Sequence, residues 1–469
     1  MRNGQFRTRQ FRTGCFASVL FFIRYFLREI MKFFDRKNEM KILRESKERA
    51  EREAQFVVVT GRRRIGKTQL VIHTFGEENL LYFFVARKTE RELCSGFQKE
   101  IEEKLGIPIL GKVDSFADIF EYVLKFSKTH PITLFIDEFQ DFMRVNPSIY
   151  SDMQKLWDLN HGESKLTLIV AGSINTLMNK IFRDHKEPLY NRQTRFLNLK
   201  PFVPSVMKEI MDYYSPGYQK SDLLALYTFT GGVPKYIDIL VGADALTEDK
   251  MIDEIVSQGS SFVDEGKAML IEEFGKDYTT YFSILTAIAS GYTARAEIET
   301  QVGKEIGGYI TRLEDTYGLI SKMQPMFEKT SNKNVRYQIQ DNFLRFWFRF
   351  FYKYSYIVQL DAYSRLRDIV RRDYPTFSGL ALERYFRAKL IEGEEYTRIS
   401  NWWDRKGENE IDIIAENELE KYVSFFEVKR KEKNIDLAIL RSKAEAFMKS
   451  THRFGDYEKK FQGLSIEDM

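Results

Sequence analysis

The sequence predicts an α/β fold in which helices cover both faces of a parallel sheet, giving three layers. Two observations support this prediction. Short apolar runs over 56–59, 80–86, 132–137 and 165–172 have the composition of strands that are buried on both faces. Helical patterns separate these runs, and no hairpin signal lies between them, so crossover helices are expected to join neighbouring strands.

A basic loop with two glycines follows the first predicted strand. Residues 61–68 read GRRRIGKT and fit the spacing G-x-x-x-x-G-K-[ST]. In such a loop the backbone N–H groups bind phosphate oxygens, the lysine adds a positive charge, and the last hydroxyl binds Mg²⁺. A helix predicted over 69–75 would point its positive end at the phosphates. The predicted nucleotide-binding residues of this loop are Gly61, Arg62, Arg63, Arg64, Ile65, Gly66, Lys67, Thr68 and Gln69.

Because a strand precedes this loop and a helix follows it, we predict a P-loop NTPase core over residues 31–203 that binds ATP and Mg²⁺. Lys67 is expected to be catalytic as well, since its charge would lie at the β- and γ-phosphates. The alternative interpretation is a basic surface turn that fits the spacing by chance.

An acidic pair ends the predicted strand over 132–137. The sequence ITLFID runs into Asp137 and Glu138, which is the Walker B arrangement. The carboxyl ends of parallel strands form the ligand-binding edge of such a sheet. Asp137 is therefore expected to hold Mg²⁺ through water, and Glu138 to orient and polarise the attacking water.

Further candidates end or precede neighbouring strands. Ser173 follows the strand over 165–172 and is expected to contact the γ-phosphate or the attacking water. Arg192 and Arg195 lie at the start of a fifth predicted strand, over 194–199, and are candidates for an arginine finger on the γ-phosphate. The alternative for each arginine is a surface salt bridge.

The strand signals stop after residue 203. Helices are predicted over 204–214, 221–229, 234–241 and 246–257, and we assign residues 204–270 to a helical lid. Within the lid, the sequence TGGVPK ends one helix at its glycines and begins the next at Pro234.

Charge and cysteine content limit the function classes. The net charge is +4, but residues 1–30 carry six arginines and one glutamate, so the remaining residues sum to −1. No global basic field therefore attracts nucleic acid. Two cysteines cannot form a disulfide framework, which fits a reducing cytoplasm.

The first thirty residues are a separate question. Their apolar run over 15–27 is interrupted by Arg24 and is too short to span a bilayer, so no membrane partner is predicted. We expect residues 1–30 to be a disordered extension, or to precede a native start at Met31.

Residues 271–345 fit a winged helix. Helices are predicted over 281–289, 294–301 and 306–317, and two wing strands over 319–322 and 335–339. The third helix could contact DNA, with Lys304 and Arg312 near it. Acidic residues on or beside the same helix would repel phosphate, so a packing module is the preferred interpretation; these residues are Glu305, Glu314 and Asp315.

Residues 346–469 contain a second candidate site. A helix carries Glu383, and two strands are predicted over 410–415 and 423–430. If the strands pair, Asp412 converges with Glu427 and Lys429, which share one strand face. The two carboxylates would bind Mg²⁺ and the lysine would stabilise charge on a scissile phosphate. The alternative is an exposed strand with alternating charges.

The motifs GRRRIGKT, FIDEFQ, VAGS and TGGVPKYI, in this order, resemble the AAA+-related STAND-type ATPases of prokaryotes, and among them the archaeal-type ATPases. The resemblance implies that Gly232 and Pro234 form a G-x-P element where AAA+ proteins keep a lid arginine, which places Pro234 at the nucleotide. It also implies nucleotide-gated rearrangement rather than fast turnover.

The C-terminal order of elements resembles the PD-(D/E)XK restriction-endonuclease-like fold. Asp412, Glu427 and Lys429 match its D…E-x-K pattern, and Glu383 matches the acidic residue often found on its first helix. The resemblance implies a metal-dependent nuclease in which Glu383 joins the metal site, although degenerate members keep the fold without cutting.

Together these features predict a cytoplasmic, slow, Mg²⁺-dependent ATPase whose nucleotide state controls a nuclease-like domain acting on or binding DNA or another nucleic acid. One alternative is a non-catalytic ATP-gated switch that assembles with a partner protein or with further copies of itself. Another is a DNA-binding regulator that acts through the winged helix.

Overall fold

The computed structural model describes residues 31–109, 111–274, 278–328 and 334–469. The chain divides into two units, Met1–Phe34 and Asp35–Met469, and all the helices and strands given below belong to the second unit. The predicted extension over residues 1–30 lies outside the described residues.

The N-terminal sheet is parallel throughout, as predicted. Its strands have the spatial order β2-β3-β4-β1-β5, so β4 lies between β1 and β3. Every residue of β1, β3 and β4 is buried, because helices cover both faces of the sheet. The strands are β1 (Gln55–Thr60), β2 (Leu81–Phe84), β3 (Ile132–Asp137), β4 (Leu166–Ala171) and β5 (Arg195–Asn198).

Two helices of this layer begin at a side-chain cap, Thr89 and Ser115. The helix at Glu90–Leu105, for example, begins with a capping box, in which Thr89 and Glu92 satisfy each other's backbone N–H groups. It ends at Gly106, which has a left-handed backbone. The helices are α1 (Lys37–Ala50), α2 (Lys67–Phe75), α3 (Glu90–Leu105), α4 (Phe116–Ser127), α5 (Phe142–Val145), α6 (Ile149–Asn160) and α7 (Asn175–Arg183).

Five helices follow β5 in the described residues up to 274, and four of them lie close to predicted helices, while the assignment of this region as a lid stays a prediction. The last helix, α12 (Ser261–Phe274), was not predicted, because Gly266 in its middle lowers the helix propensity of the sequence. The glycine is needed there, since a Cβ would overlap the ring of Trp347, whose Nε1 donates to the Val263 carbonyl. The helices are α8 (Pro204–Tyr214), α9 (Lys220–Thr230), α10 (Pro234–Gly242), α11 (Glu248–Ile255) and α12 (Ser261–Phe274).

The next region contains three helices and an antiparallel strand pair, in the order that the sequence predicted. The elements are α13 (Tyr278–Ala289), α14 (Arg295–Val302), α15 (Gly307–Thr311), β6 (Ile320–Met323) and β7 (Arg336–Ile339). A π-helical turn over Arg312–Thr316 extends α15. The assignment of this region as a winged helix stays a prediction.

An aromatic stripe then packs between the helices. Phe343, Phe346, Trp347 and Phe350 recur at helical spacing and are all buried. The elements here are α16 (Asn342–Phe346), a π-helical turn (Trp347–Tyr352), α17 (Ser355–Gln359), α18 (Tyr363–Phe377) and α19 (Gly379–Glu392). None of the helices in the described ranges has the length and apolar character that a membrane span requires.

The C-terminal sheet is mixed and has the order β11-β10-β9-β8. Strands β8, β9 and β10 pair antiparallel, and β11 pairs parallel with β10 after a crossover helix. The elements are β8 (Arg398–Trp403), β9 (Glu410–Asn417), β10 (Tyr422–Val428), α20 (Leu437–Thr451) and β11 (Glu458–Leu464). The predicted helix with Glu383 and the two predicted strands correspond to α19, β9 and β10, while the nuclease-like assignment stays a prediction.

The turn between α9 and α10 packs closely against Phe202, and this contact can be tested. Gly232 has φ +76°, its carbonyl accepts from the Phe202 N–H at 2.8 Å, and an added Cβ would overlap the Phe202 carbonyl. Gly217 has a similar φ of +84° but open space around it. We expect Gly217→Ala to cost about 1 kcal/mol of unfolding free energy through the backbone alone.

Gly232→Ala should cost roughly 1–3 kcal/mol more than Gly217→Ala, because relieving the overlap requires the backbone to move. Urea unfolding of both variants measures the difference. Equal losses would show that the contact with Phe202 does not constrain the turn.

Candidate functional site

The phosphate loop connects β1 to α2. Gly61 has φ +139°, and a Cβ there would lie 2.8 Å from the Leu199 carbonyl oxygen, so only glycine fits. Gly66 has φ +88° directly before the first residue of α2. Ile65 is fully buried and fixes the loop on the core, while Arg63 is exposed. The loop therefore has the predicted position, with the positive end of α2 at its edge.

Lys67 lies within this loop. Its Nζ donates to the carbonyl oxygens of Gly61 at 3.1 Å and Arg62 at 3.2 Å, and the residue is 7 % exposed. Burial lowers the pKa of Lys67, and the nearby charges of Glu138 and Asp137 oppose that shift. The ammonium group is thus held between the loop and the acidic pair.

Asp137 is placed at the end of β3, next to the loop. Its Oδ2 accepts from the Thr68 hydroxyl at 2.6 Å and from the Tyr82 hydroxyl at 3.4 Å. Burial raises the pKa of Asp137, and the hydrogen bond from Thr68 works in the opposite direction. A hydroxyl and a carboxylate oxygen in contact are the type of hard ligand pair that suits Mg²⁺.

Glu138 follows with a left-handed backbone, φ +52°. Its Oε2 accepts from Gln140 Nε2 at 2.7 Å and from the Ser173 hydroxyl at 2.8 Å. Ser173 reaches this position because β4 lies between the strands that carry the loop and the acidic pair. The structure therefore places Ser173 against Glu138, and its contact with phosphate or water stays a prediction.

Two loop arginines bind residues from far along the chain. Arg62 forms an ion pair with Asp341 and donates to the Tyr236 hydroxyl at 3.1 Å. Arg64 pairs with Glu265 at 2.7 Å, and the Tyr236 hydroxyl donates to the same carboxylate at 3.1 Å. We call these five residues the arginine network. It joins the phosphate loop to α10, to α12 and to the residue that caps α16.

The C-terminal candidates also converge. Lys429 Nζ lies 3.2 Å from Asp412 Oδ2 and 3.6 Å from Glu427 Oε1. Backbone N–H groups of Val428 and Asp436 donate to Asp412 and Glu427, respectively. The structure thus brings the three predicted residues together, with the lysine between the two carboxylates.

Glu383 lies near this cluster on α19. Burial raises its pKa to about 8, and the charges of Asp412 and Glu410 act in the same direction. In the described part of the chain, however, no three His, Cys, Asp or Glu side chains form a group that could hold a metal ion. The role of Glu383 as a third ligand beside Asp412 and Glu427 stays a prediction. A helix residue that the sequence analysis did not single out, Lys443, lies 3.9 Å from Glu427.

Comparison with known families and structures decides the assignment of the N-terminal region. Residues 33–240 match the model of a family described as an ATPase domain predominantly from Archaea. This region is an archaeal-type ATPase domain. Residues 347–446 match a second family, described as Archaea bacterial proteins of unknown function. The predicted resemblance to archaeal-type ATPases with such a C-terminal domain is confirmed.

Individual proteins are also similar to this chain in sequence or in structure. An uncharacterized protein of Methanocaldococcus jannaschii is 28 % identical over 410 residues, which cover 85 % of this chain and 88 % of that protein. The structure of a Walker-type ATPase of Pyrococcus abyssi superimposes with a TM-score of 0.52 at 19 % identity, covering 68 % of this chain and 96 % of that chain. The second likeness shows the P-loop ATPase fold.

Within the ATPase domain, the predicted arginine fingers have other contacts. Arg192 forms two hydrogen bonds with Asp158, at 2.9 and 2.8 Å, and a third with the Pro188 carbonyl at 2.6 Å. Arg195 donates to the Thr194 carbonyl. A finger role for Arg192 stays a prediction, and it would require the pair with Asp158 to break. Pro234 begins α10, the helix that carries Tyr236 of the arginine network.

The candidate DNA-contacting residues are engaged within the protein. Lys304 Nζ donates to the Thr280 hydroxyl at 2.6 Å and lies over the Tyr309 ring. Arg312 donates weakly to the Tyr281 hydroxyl at 3.5 Å. These contacts fit the packing role that was preferred for this region.

Sequence analysis missed several residues of the site. Gln140 belongs to the quoted motif FIDEFQ, so its proximity to Glu138 could have been proposed. Tyr236, Glu265 and Asp341 have no local signal, because only the tertiary fold brings them to the loop.

Lys67→Ala should weaken ATP binding to the ATPase domain at least tenfold, or about 1.4 kcal/mol. The reason is the loss of the one lysine that lies within the loop. Lys155→Ala, which removes an exposed lysine on α6, is the control. Calorimetric titration with ATP measures both, and unchanged affinity in Lys67→Ala would contradict the placement of the nucleotide.

Proposed function

We propose that the chain is a slow, Mg²⁺-dependent ATPase whose nucleotide state controls a C-terminal nuclease-like domain that acts on or binds nucleic acid. The observation that carries this proposal is the arginine network. Through it, the loop that would hold the phosphates is bound directly to α12 and to Asp341, which precede the C-terminal region along the chain.

The ATPase part of the proposal rests on Thr68, Asp137 and Glu138. The contact between the Thr68 hydroxyl and Asp137 supplies an oxygen pair that fits Mg²⁺. Bound there, Mg²⁺ would neutralise charge on the β- and γ-phosphates. Gln140 and Ser173 orient Glu138. Glu138 would accept a hydrogen bond from the attacking water and so direct the lone pair of the water oxygen at phosphorus.

Coupling follows from competition for the two arginines. Arg62 and Arg64 pair with Asp341 and Glu265 in this structure, and both lie in the loop that would surround the phosphates. Phosphate oxygens attract guanidinium groups strongly. Movement of either arginine toward the nucleotide would weaken its pair and loosen α12 or the start of α16. ATP binding would thus change the packing that precedes the C-terminal domain.

The nuclease-like part rests on the convergence of Asp412, Glu427 and Lys429. Their carboxylates could hold Mg²⁺ beside a scissile phosphate, where the metal would polarise the phosphoryl group. Lys429 would stabilise the negative charge that develops there. The likeness of element order to PD-(D/E)XK nucleases supports a nucleic-acid substrate.

A second candidate is an ATP-gated assembly switch without nuclease activity. It is favoured by the lack, among the described residues, of a three-ligand metal group. The backbone N–H groups that donate to Asp412 and Glu427 also fit a structural role for these carboxylates. In that case the C-terminal domain would be a docking surface for a partner protein or a second copy of the chain.

Glu138→Gln should bind ATP as tightly as the parent but hydrolyse it about 10²-fold more slowly, because an amide cannot polarise the water as a carboxylate does. Single-turnover hydrolysis of labelled ATP measures the rate. Glu163→Gln, at an exposed surface site, is the control. A normal rate in Glu138→Gln would exclude the proposed role of Glu138.

Lys429→Ala should abolish cleavage of plasmid and single-stranded DNA and of single-stranded RNA in the presence of Mg²⁺ or Mn²⁺, because developing charge would lose its cationic partner. Lys433→Ala, an exposed lysine nearby, should cut normally. Each reaction is run with and without ATP, and Lys67→Ala should lose any dependence on ATP. If the parent binds ATP but cuts none of these substrates, the switch function is correct instead.

A further inference from the structure

A cavity lies outside both candidate sites. It has a volume of about 420 Å³, is partly open to solvent, and is lined by the β5–α8 connection, the end of α9, strands β6 and β7, and helix α19. This size is within the range of about 300–1,000 Å³ that is typical of small-molecule pockets. Its lining includes neither the phosphate-loop residues nor the Asp412 cluster.

Helix α19 contributes two arginines to this cavity, one turn apart. Arg384 donates to Asn342 Oδ1 at 2.8 Å, to the Ile339 carbonyl at 2.6 Å and to Gln338 Oε1 at 3.3 Å, all of which are uncharged acceptors. Arg387 lines the same cavity. In the described part of the chain, Arg387 forms no hydrogen bond, and neither arginine forms an ion pair.

Glu383, the neighbour of Arg384 on α19, acts electrostatically on both arginines but forms no ion pair with either of them in the described structure. The two partly buried positive charges therefore have no directly bound anion. Asp341 also lines the cavity, but its carboxylate pairs with Arg62 of the arginine network. Burial lowers the pKa of both Arg384 and Arg387, as expected for cations that are removed from water. Burying charge without a partner is unfavourable, so an anionic ligand would stabilise the site.

The chemistry of the ligand follows from the lining. Paired guanidinium groups bind phosphate through parallel hydrogen bonds, and two positive charges match a phosphate dianion better than a single carboxylate. Part of the remaining lining is apolar or aromatic, which provides a surface for an organic group. These residues are Pro201, Phe202, Val203, Tyr227 and Met323.

We propose that this cavity is a binding site for a small phosphate-bearing molecule of nucleotide size, held by Arg384 and Arg387. The site is separate from the ATP site. Because Asp341 lines the cavity and also pairs with Arg62, occupancy of the cavity would change the affinity of the phosphate loop for ATP. By linkage, ATP would change the affinity of the cavity by the same factor.

The test is calorimetric titration of the full chain with inorganic phosphate, 5′-AMP and 5′-GMP. The titrations are repeated with the Lys67→Ala variant, in which binding of the probes at the phosphate loop is reduced. We expect at least one probe to bind, and we expect Arg387→Gln to lower the affinity for that probe at least tenfold. Arg387 is the better choice for substitution because it forms no hydrogen bond within the described structure. Lys389→Gln removes the same charge from an exposed position of α19 and should bind like the parent.

Ala388→Leu provides an independent variant, because Ala388 lines the cavity and a larger side chain would fill it. Ala388→Leu should lower the affinity for the same probe. If Arg387→Gln does not fold, this variant alone tests whether the probe binds in the cavity. Thermal unfolding of each variant checks its fold. The proposal is overturned if no probe binds to the folded protein, or if the folded cavity variants bind as the parent does. It is also overturned if a 5′-phosphorylated single-stranded oligonucleotide, but none of the small probes, depends on the cavity.

Discussion

Two ion pairs between the phosphate loop and distant acidic residues constrain how the loop packs against α12 and the start of α16. Glu265 is 3 % exposed, and Arg64 is its partner in the loop. Removing one partner of a buried pair typically costs about 3–5 kcal/mol, because the other charge stays buried. The loop therefore cannot change conformation without changing the environment of α12. Arg62 extends the same constraint to Asp341, whose carboxylate also accepts the Leu344 N–H at the start of α16.

The strand order brings the residues around the acidic pair together. Because β4 separates β1 from β3, Ser173 meets Glu138 at the edge of the sheet where the phosphate loop begins. In the proposed mechanism, hydrolysis and coupling use different residues of one loop region. Thr68 donates to Asp137 of the acidic pair, whereas Arg62 and Arg64 bind Tyr236, Asp341 and Glu265. This division explains how nucleotide binding could be transmitted even if turnover is slow.

Local patterns predicted nine of the eleven strands in the described residues, most helices, the loop and the acidic pair, because each depends on periodicity or on a short motif. Strands β8 and β11 were not predicted. They did not predict α12, whose central Gly266 is explained only by the Trp347 ring that packs against it. Nor did they predict that Glu265 and Asp341 bind the loop, since those contacts depend on the packing of separate elements. The D…E-x-K residues were predicted because antiparallel pairing of neighbouring strands brings them together.

Hydrogen–deuterium exchange of the full chain, with and without ATP and Mg²⁺, tests the central claim most directly. If the arginine network transmits the nucleotide state, exchange should change not only in residues 55–75 and 132–140 but also in 261–274 and 341–346. An Arg62→Gln, Arg64→Gln double variant that still binds ATP should lose the distant changes and keep the local ones. Changes confined to the loop and the acidic pair in the parent protein would contradict the account.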